Sequence, residues 1–206
     1  MQNGFFAMLS RMKHIVRWGL MRNTRPENLS EHSLETAVLA HALALIGNRR
    51  LGKSYDANRV GMAAIFHDCP EILTGDLPTP VKYYSGEIQR AYKAVEKESA
   101  EKLLQMLPED LCSDYAPLIY CELPVAEKQL LKAADKLSAL IKCLEEARQG
   151  NGEFKTAEAH LRKKIAELSV PEAGIFISEF LGAYELTLDE LNQYSCPSVD
   201  QWISNI

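Results

Sequence analysis

Val125-Ala126-Glu127-Lys128-Gln129-Leu130-Leu131-Lys132-Ala133-Ala134-Asp135-Lys136-Leu137-Ser138-Ala139-Leu140-Ile141-Lys142-Cys143-Leu144-Glu145-Glu146-Ala147-Arg148 decides the fold class. Leu130, Leu131, Ala134, Leu137, Ile141 and Leu144 recur at helical spacing and make one apolar face. Asp135 follows Leu131 by four residues, close to that face, where an unpaired charge is costly and needs a partner. The same periodicity runs through nearly every long segment and β-branched runs are scarce, so the pattern predicts an all-α protein.

Working outward, a helix from about Phe5 to Ile15 buries Phe5, Met8, Leu9 and Met12, and Gly19 and Pro26 mark a loop after it. Asn28 or Ser30 caps a helix over 32–46 whose stripe is Leu34, Val38, Leu45 and the alanines between. Asp56 or Asn58 caps the next, which carries Val60, Ala63, Ala64 and Phe66 up to His67 and is ended or distorted by Pro70. Thr74 to Pro80 is a loop of turn formers. Helical patterning resumes over 86–107, stops at Pro108 and returns at Val125, and after the Gly150-Asn151-Gly152 turn two more helices cover 153–168 and 172–193. With 206 residues, 47% of them hydrophobic and 25% charged, the chain is expected to be one domain over 1–206, a helical bundle around one core.

Composition excludes several classes. No apolar run approaches the roughly 18 residues of a membrane span, so a cytoplasmic protein without membrane contact is expected. Five cysteines without CxxC spacing argue against a disulfide framework or a thiolate zinc site. A net charge of −5 argues against nucleic acid as partner. Residues 1–30 nevertheless hold Arg11, Lys13, Arg17, Arg22 and Arg25 against Glu27 alone, a local +4 that leaves −9 on the rest. This is either a solvated basic face or the place where a small anion docks. Gly47-Asn48-Arg49-Arg50-Leu51-Gly52-Lys53-Ser54 matches GxxxxGK[ST], but a phosphate-binding loop must follow a strand and open a helix, and this one follows a helix.

The chemistry lies elsewhere. His67 and Asp68 end the apolar run Ala63-Ala64-Ile65-Phe66, with His32 in the first turn of an earlier helix and Asp135 on a later one. Imidazole and carboxylate groups from three segments suit a divalent ion such as Mn²⁺, Co²⁺, Fe²⁺ or Zn²⁺. His41, nine residues after His32, faces away from it and is expected to be a structural polar edge.

Arg17-Trp18, Ser30-Glu31-His32-Ser33, His67-Asp68-Cys69-Pro70-Glu71, Thr74-Gly75-Asp76-Leu77-Pro78-Thr79-Pro80-Val81-Lys82 and Asp135 together resemble the bacterial 5′-deoxynucleotidases of the HD-domain superfamily, the YfbR type. Cys69-Pro70 stands where small or polar residues are expected. The resemblance implies a homodimeric HD-domain enzyme that hydrolyses deoxyribonucleoside 5′-monophosphates with little base preference and excludes ribonucleotides. It implies one divalent transition metal, Co²⁺, Mn²⁺ or similar, on His32, His67, Asp68 and Asp135. It makes Arg17 the phosphate contact, Trp18 the ring that leaves no room for a 2′-hydroxyl, and Glu71 the group that activates water or passes protons. Asp76 is then the acceptor for the 3′-hydroxyl, and Leu77, Pro78 and Thr79 line phosphate or sugar. Asp68 and Asp135 also border the substrate, and Asp68 acts in catalysis with Arg17 and Glu71. Trp202-Ile203 serves a dimer interface or closes the core. Other expectations for the same residues are hydrolysis of a triphosphate or alarmone, or nucleotide sensing without turnover.

Overall fold

The computed structural model describes residues 3–82 and 84–193, so Trp202 and Ile203 lie outside the described residues. The described residues form helices α1 (Phe5–Leu9), α2 (Leu29–Arg50), α3 (Ala57–Phe66), α4 (Glu71–Thr74), α5 (Thr79–Lys82), α6 (Gly86–Leu104), α7 (Glu109–Ile119), α8 (Val125–Arg148), α9 (Lys155–Glu167), α10 (Pro171–Glu179) and α11 (Leu188–Asn192). Three short 3₁₀ turns complete them, and among the described residues the only β pairing is the isolated bridge Val16–Asn28. No described helix is long and apolar enough to cross a membrane.

Helix α8 is as its periodicity predicts, with Leu130, Leu131, Ala134, Leu137, Ile141 and Leu144 all buried. It packs on α2, α3 and α9, and α2 also packs on α3 and α10. One apolar cluster joins α2, α3, α8, α9 and α10, and a second joins α1, α3, α6 and α7 around Phe5, Leu29, Phe66 and Leu103. Helix α2 contributes Leu29 to the second cluster and Ala37 to the first, so His32 falls at the seam between them. His67 and Asp68 leave α3 at the same seam, between Ala64 of the first cluster and Cys69 of the second.

The expected face of α2 is only half right. Of the expected stripe, Ala37, Ala40 and Ala44 are buried, but Leu34, Val38 and Leu45 are exposed, at 63%, 62% and 43%, and His32, Ser33, Thr36 and Gly47 are buried in their place. Three helices converge on α2, and small side chains let their backbones come close where leucines would hold them apart. A Cβ on Gly47 would sit 2.6 Å from the Tyr55 ring and 2.9 Å from Glu172 Oε1. Four boundaries also differ. The first helix gives way to a 3₁₀ turn at Ser10, and Thr79-Pro80 open α5 rather than staying in the loop. Helix α7 replaces the expected gap after Pro108, with Glu109 and Asp110 favourable in its first turn. The final helix breaks at Phe180, and Thr187 with Glu190 forms a capping box that starts α11.

Candidate metal centre

Asn28 starts α2 and so places His32. Its side chain accepts the Glu31 N–H at 3.0 Å while Glu31 accepts the Asn28 N–H at 3.1 Å, which fixes the helix entry. His32 is fully buried, and its Nδ1 lies 3.0 Å from Ser138 Oγ. The Ser138 hydroxyl donates to Glu35 Oε2 at 2.6 Å, so its oxygen receives the Nδ1 proton and the His32 Nε2 keeps its lone pair. His67 reaches the same tautomer by another route, its Nδ1–H donating to the Ala64 carbonyl at 2.7 Å. Both Nε2 atoms are buried without a hydrogen-bond partner.

Each lone pair faces oxygen. His67 Nε2 is 3.1 Å from Asp68 Oδ2, and His32 Nε2 is 3.5 Å from that oxygen and 3.3 Å from Asp135 Oδ1. Acceptors that face acceptors at this spacing repel unless a positive charge stands among them. The ligand atoms of His32, His67 and Asp135 all lie within 4.8 Å of one another, a separation that one ion can span. The carboxylates favour positive charge at this point, from a proton or an ion: burial alone would lower His67, yet Asp68 and Asp135 raise it to about 9. Burial and the nearby Arg17 lower His32. Burial opposes ionisation of Asp135 but is outweighed by Lys136 and the histidines, which hold it well below the usual carboxylate range. The donor set fits a divalent transition ion.

Arg17 and Trp18 enter from the irregular segment pinned by the Val16–Asn28 bridge. The Arg17 N–H donates to the Glu27 carbonyl at 2.9 Å, its Nε to Glu27 Oε2 at 3.0 Å, and its Nη1 to Asp68 Oδ2 at 3.5 Å. Burial would lower Arg17, but Glu27 and Asp68 more than offset it and keep the guanidinium charged. Trp18 has φ 59°, a left-handed conformation that non-glycine residues rarely adopt. Its indole N–H donates to Glu27 Oε2 at 2.8 Å and its ring meets Phe154 edge-on at 5.3 Å. Of the five N-terminal cations only Arg17 joins the site. Arg22 and Arg25 pair outward with Glu153 and Glu31, and Arg11 and Lys13 are exposed.

Glu71 is buried at the start of α4, with Oε2 unpartnered and Lys82 Nζ 3.7 Å from Oε1. Burial, then Asp68 and Asp76, raise it to about 8. Burial and the neighbouring carboxylates thus oppose its ionisation more than Lys82 and Arg17 favour it. Lys82 is itself held by Glu96 at 2.9 Å and over the Tyr92 ring at 4.6 Å. Asp76, Leu77 and Pro78 follow Gly75, whose φ of 74° turns the chain and whose carbonyl accepts the Tyr92 hydroxyl at 3.2 Å. These three are half-buried, and Thr79 is exposed at the head of α5. His41 is half-buried on α2, its Cβ against Gly61, with no place in the cluster. Gly47 is inside α2, and its carbonyl, not an array of N–H groups, faces Leu51 and Lys53. The GxxxxGKS match therefore builds no phosphate cradle.

Sequence reading missed Glu27, Glu35 and Ser138. Glu35 and Ser138 stand three residues after His32 and Asp135, one helical turn on, and Glu27 is the lone acid of the basic segment, so each had a local signal.

A helical bundle with His32 on one helix, His67-Asp68 at the end of another and Asp135 on a third defines an HD-domain phosphohydrolase. The chain aligns with an HD-domain phosphohydrolase from Listeria innocua at a TM-score of 0.78 and 21% identity, covering 98% of this chain and 97% of that one. It also aligns with an HD phosphohydrolase from cyanophage S-2L, bound to dA and one catalytic Zn²⁺, at a TM-score of 0.64 and 19% identity over 88% and 99% of the two chains. Within that class, residues 4–204 match the family described as 5′-deoxynucleotidase YfbR-like, and the chain belongs to it. It is 51% identical to a 5′-deoxynucleotidase of Erwinia tasmaniensis over 93% of this chain and 97% of that protein. It is 48% identical to the 5′-deoxynucleotidase YfbR of Shigella dysenteriae over 94% and 98%.

Proposed function

We propose that the protein hydrolyses deoxyribonucleoside 5′-monophosphates to deoxynucleoside and phosphate, tolerates any base and discriminates against ribonucleotides. The observation that carries this reading is the juxtaposition of two lone-pair-bearing imidazoles and two carboxylates with a charged Arg17 reaching Asp68. His32, His67, Asp68 and Asp135 would hold one divalent transition ion, Co²⁺ or Mn²⁺ among the candidates. Such an ion, when bound, stabilises charge on the phosphoryl oxygens and eases ionisation of the attacking water.

The chain's own groups do the rest. Arg17 presents its guanidinium fork to two phosphate oxygens, a contact that strengthens as charge builds in the transition state. Glu71, close to neutrality at about 8, is in the range where a carboxyl group takes a proton from water and returns it to the departing 5′-oxygen. Trp18, fixed by Glu27 and Phe154, fills the space that a 2′-hydroxyl needs. Asp76 accepts the 3′-hydroxyl, Leu77, Pro78 and Thr79 border sugar and phosphate, and the base is left unread. Asp68 and Asp135, which would hold the ion, also border the substrate.

A homodimer in a reducing cytoplasm belongs to the same reading. It is supported by the exposed apolar stripe of Leu34, Val38 and Leu45 and by Cys69, Cys112, Cys121 and Cys143 standing unpaired. Sedimentation giving a monomer mass would refute the dimer. The function is tested by phosphate release from dAMP and AMP after chelation and separate addition of Co²⁺, Mn²⁺, Zn²⁺ and Mg²⁺. Turnover of dAMP with AMP left intact, lost in Asp68→Ala, is expected; no release with any metal sinks the assignment.

A further inference from the structure

One oxygen atom holds both substrate-facing groups of the N-terminal segment. Glu27 Oε2 accepts Arg17 Nε at 3.0 Å and Trp18 Nε1 at 2.8 Å. The residue is 8% exposed, so these charge-assisted bonds are shielded from competing water. Its backbone is held as well, because its carbonyl accepts the Arg17 N–H and the next residue, Asn28, caps α2 and pairs with Val16. Glu27 is thus anchored to the start of a long rigid helix, whereas Arg17 and Trp18 sit in a segment with no regular structure beyond one bridge.

Trp18 needs such an anchor. Its left-handed backbone is a conformation that persists only when the surroundings enforce it. Two contacts enforce it from below, the Met21 N–H at 2.9 Å and Asn23 Nδ2 at 3.3 Å, both on the Trp18 carbonyl. Neither sets the direction of the ring. The indole N–H bond to Glu27 and the edge contact with Phe154 do that. Without Glu27, Arg17 would retain the longer contact to Asp68 and turn toward the metal carboxylates.

We propose that Glu27 is a specificity-determining positioning residue: by gripping Arg17 and Trp18 through one carboxylate oxygen it sets the sugar filter at a fixed distance from the phosphate. This rests on Trp18 being the sugar filter. The coupling matters because a 2′-hydroxyl is excluded only if the phosphate end cannot shift to make room for it. An arginine and a tryptophan tied to one atom cannot adjust independently.

The test is kcat/KM for dAMP and for AMP, on metal-loaded enzyme, in the unaltered protein and in Glu27→Ala, Glu27→Gln, Trp18→Phe and Trp18→Ala. Glu27→Ala is expected to lower the dAMP/AMP ratio about tenfold, the worth of a hydrogen bond to a charged group. Glu27→Gln keeps an acceptor for the indole N–H but loses the charge facing Arg17. It is expected to recover most of the ratio while the KM for dAMP stays raised, a split that a merely structural role would not give. A ratio unchanged in Glu27→Ala, with Trp18→Ala lowering it, overturns the proposal and leaves the sugar filter standing. A ratio unchanged in Trp18→Ala removes the filter itself and the proposal with it. If Glu27→Ala does not fold, Trp18→Phe decides: it removes the indole N–H together with part of the ring, and an unchanged ratio there overturns the proposal.

Discussion

Ser138→Ala is predicted to weaken divalent-metal binding about 10- to 100-fold, the usual effect of removing the partner that orients a ligating histidine. The geometry explains the size. Ser138 Oγ lies 3.0 Å from His32 Nδ1 and donates to Glu35 at 2.6 Å, which favours the Nδ1–H tautomer while Glu35 is ionised. Once the hydroxyl is gone, the fully buried His32 gains by moving its proton to Nε2, where Asp135 Oδ1 at 3.3 Å and Asp68 Oδ2 at 3.5 Å accept it. Metal must then displace that proton and also leave Nδ1–H without an acceptor, a buried loss of about 1–3 kcal/mol. At about 1.4 kcal/mol per tenfold this gives the same range. Titration calorimetry with Mn²⁺ or Co²⁺ on chelator-stripped protein measures it directly. Glu35→Gln keeps an acceptor for the Ser138 hydroxyl and should lose less than about tenfold. A dissociation constant for Ser138→Ala within about twofold of the unaltered protein would refute the claim that the relay sets the His32 tautomer.

Lys82→Met removes the cation that lowers Glu71, so the Glu71 pKa should rise further above about 8 and the acid side of the pH–rate profile should move to higher pH; an unmoved profile contradicts the role given to Glu71. Gly47→Ala drives a Cβ against Tyr55 and Glu172 and should destabilise by about 1–3 kcal/mol in denaturant unfolding, whereas Lys53→Ala should leave turnover unchanged. Burial works against ionised Glu146, but bonds from Lys142, Thr24 and Asn151 lower it to about 2. Its stabilisation is therefore complete above the ordinary glutamate value of about 4.3 and lost as pH falls from there toward 2. Glu146→Gln should cost about 1–3 kcal/mol at neutral pH and flatten acid unfolding across that window, as monitored by circular dichroism.

The readable parts of this sequence are those whose energetics are local. Helix α8 follows from its own periodicity, α3 from the Asp56 cap and its apolar spacing, and the start of α2 from Asn28 and Glu31. The candidate site residues were legible as types: His32, His67, Asp68 and Asp135 stood out because polar side chains at apolar helix positions demand a partner. Helix α7 was hidden by Pro117 within it, a residue that usually ends a helix.

What the sequence determined by itself is thus the helical class, the caps of α2 and α3 to within two residues and the candidate ligands, because hydrogen bonds within a helix and its caps involve residues within four positions of each other. Tertiary structure alone decided which face of α2 is buried. A helix carrying Leu34, Val38 and Leu45 on one side and alanines on another has two candidate faces, and close approach of three neighbours selected the small one. It also decided the contacts of the polar side chains around the candidate metal centre. Ser138 reaches His32 across 106 residues and Arg17 reaches Asp68 across 51, so neither link exists until the two apolar clusters close around the seam between them.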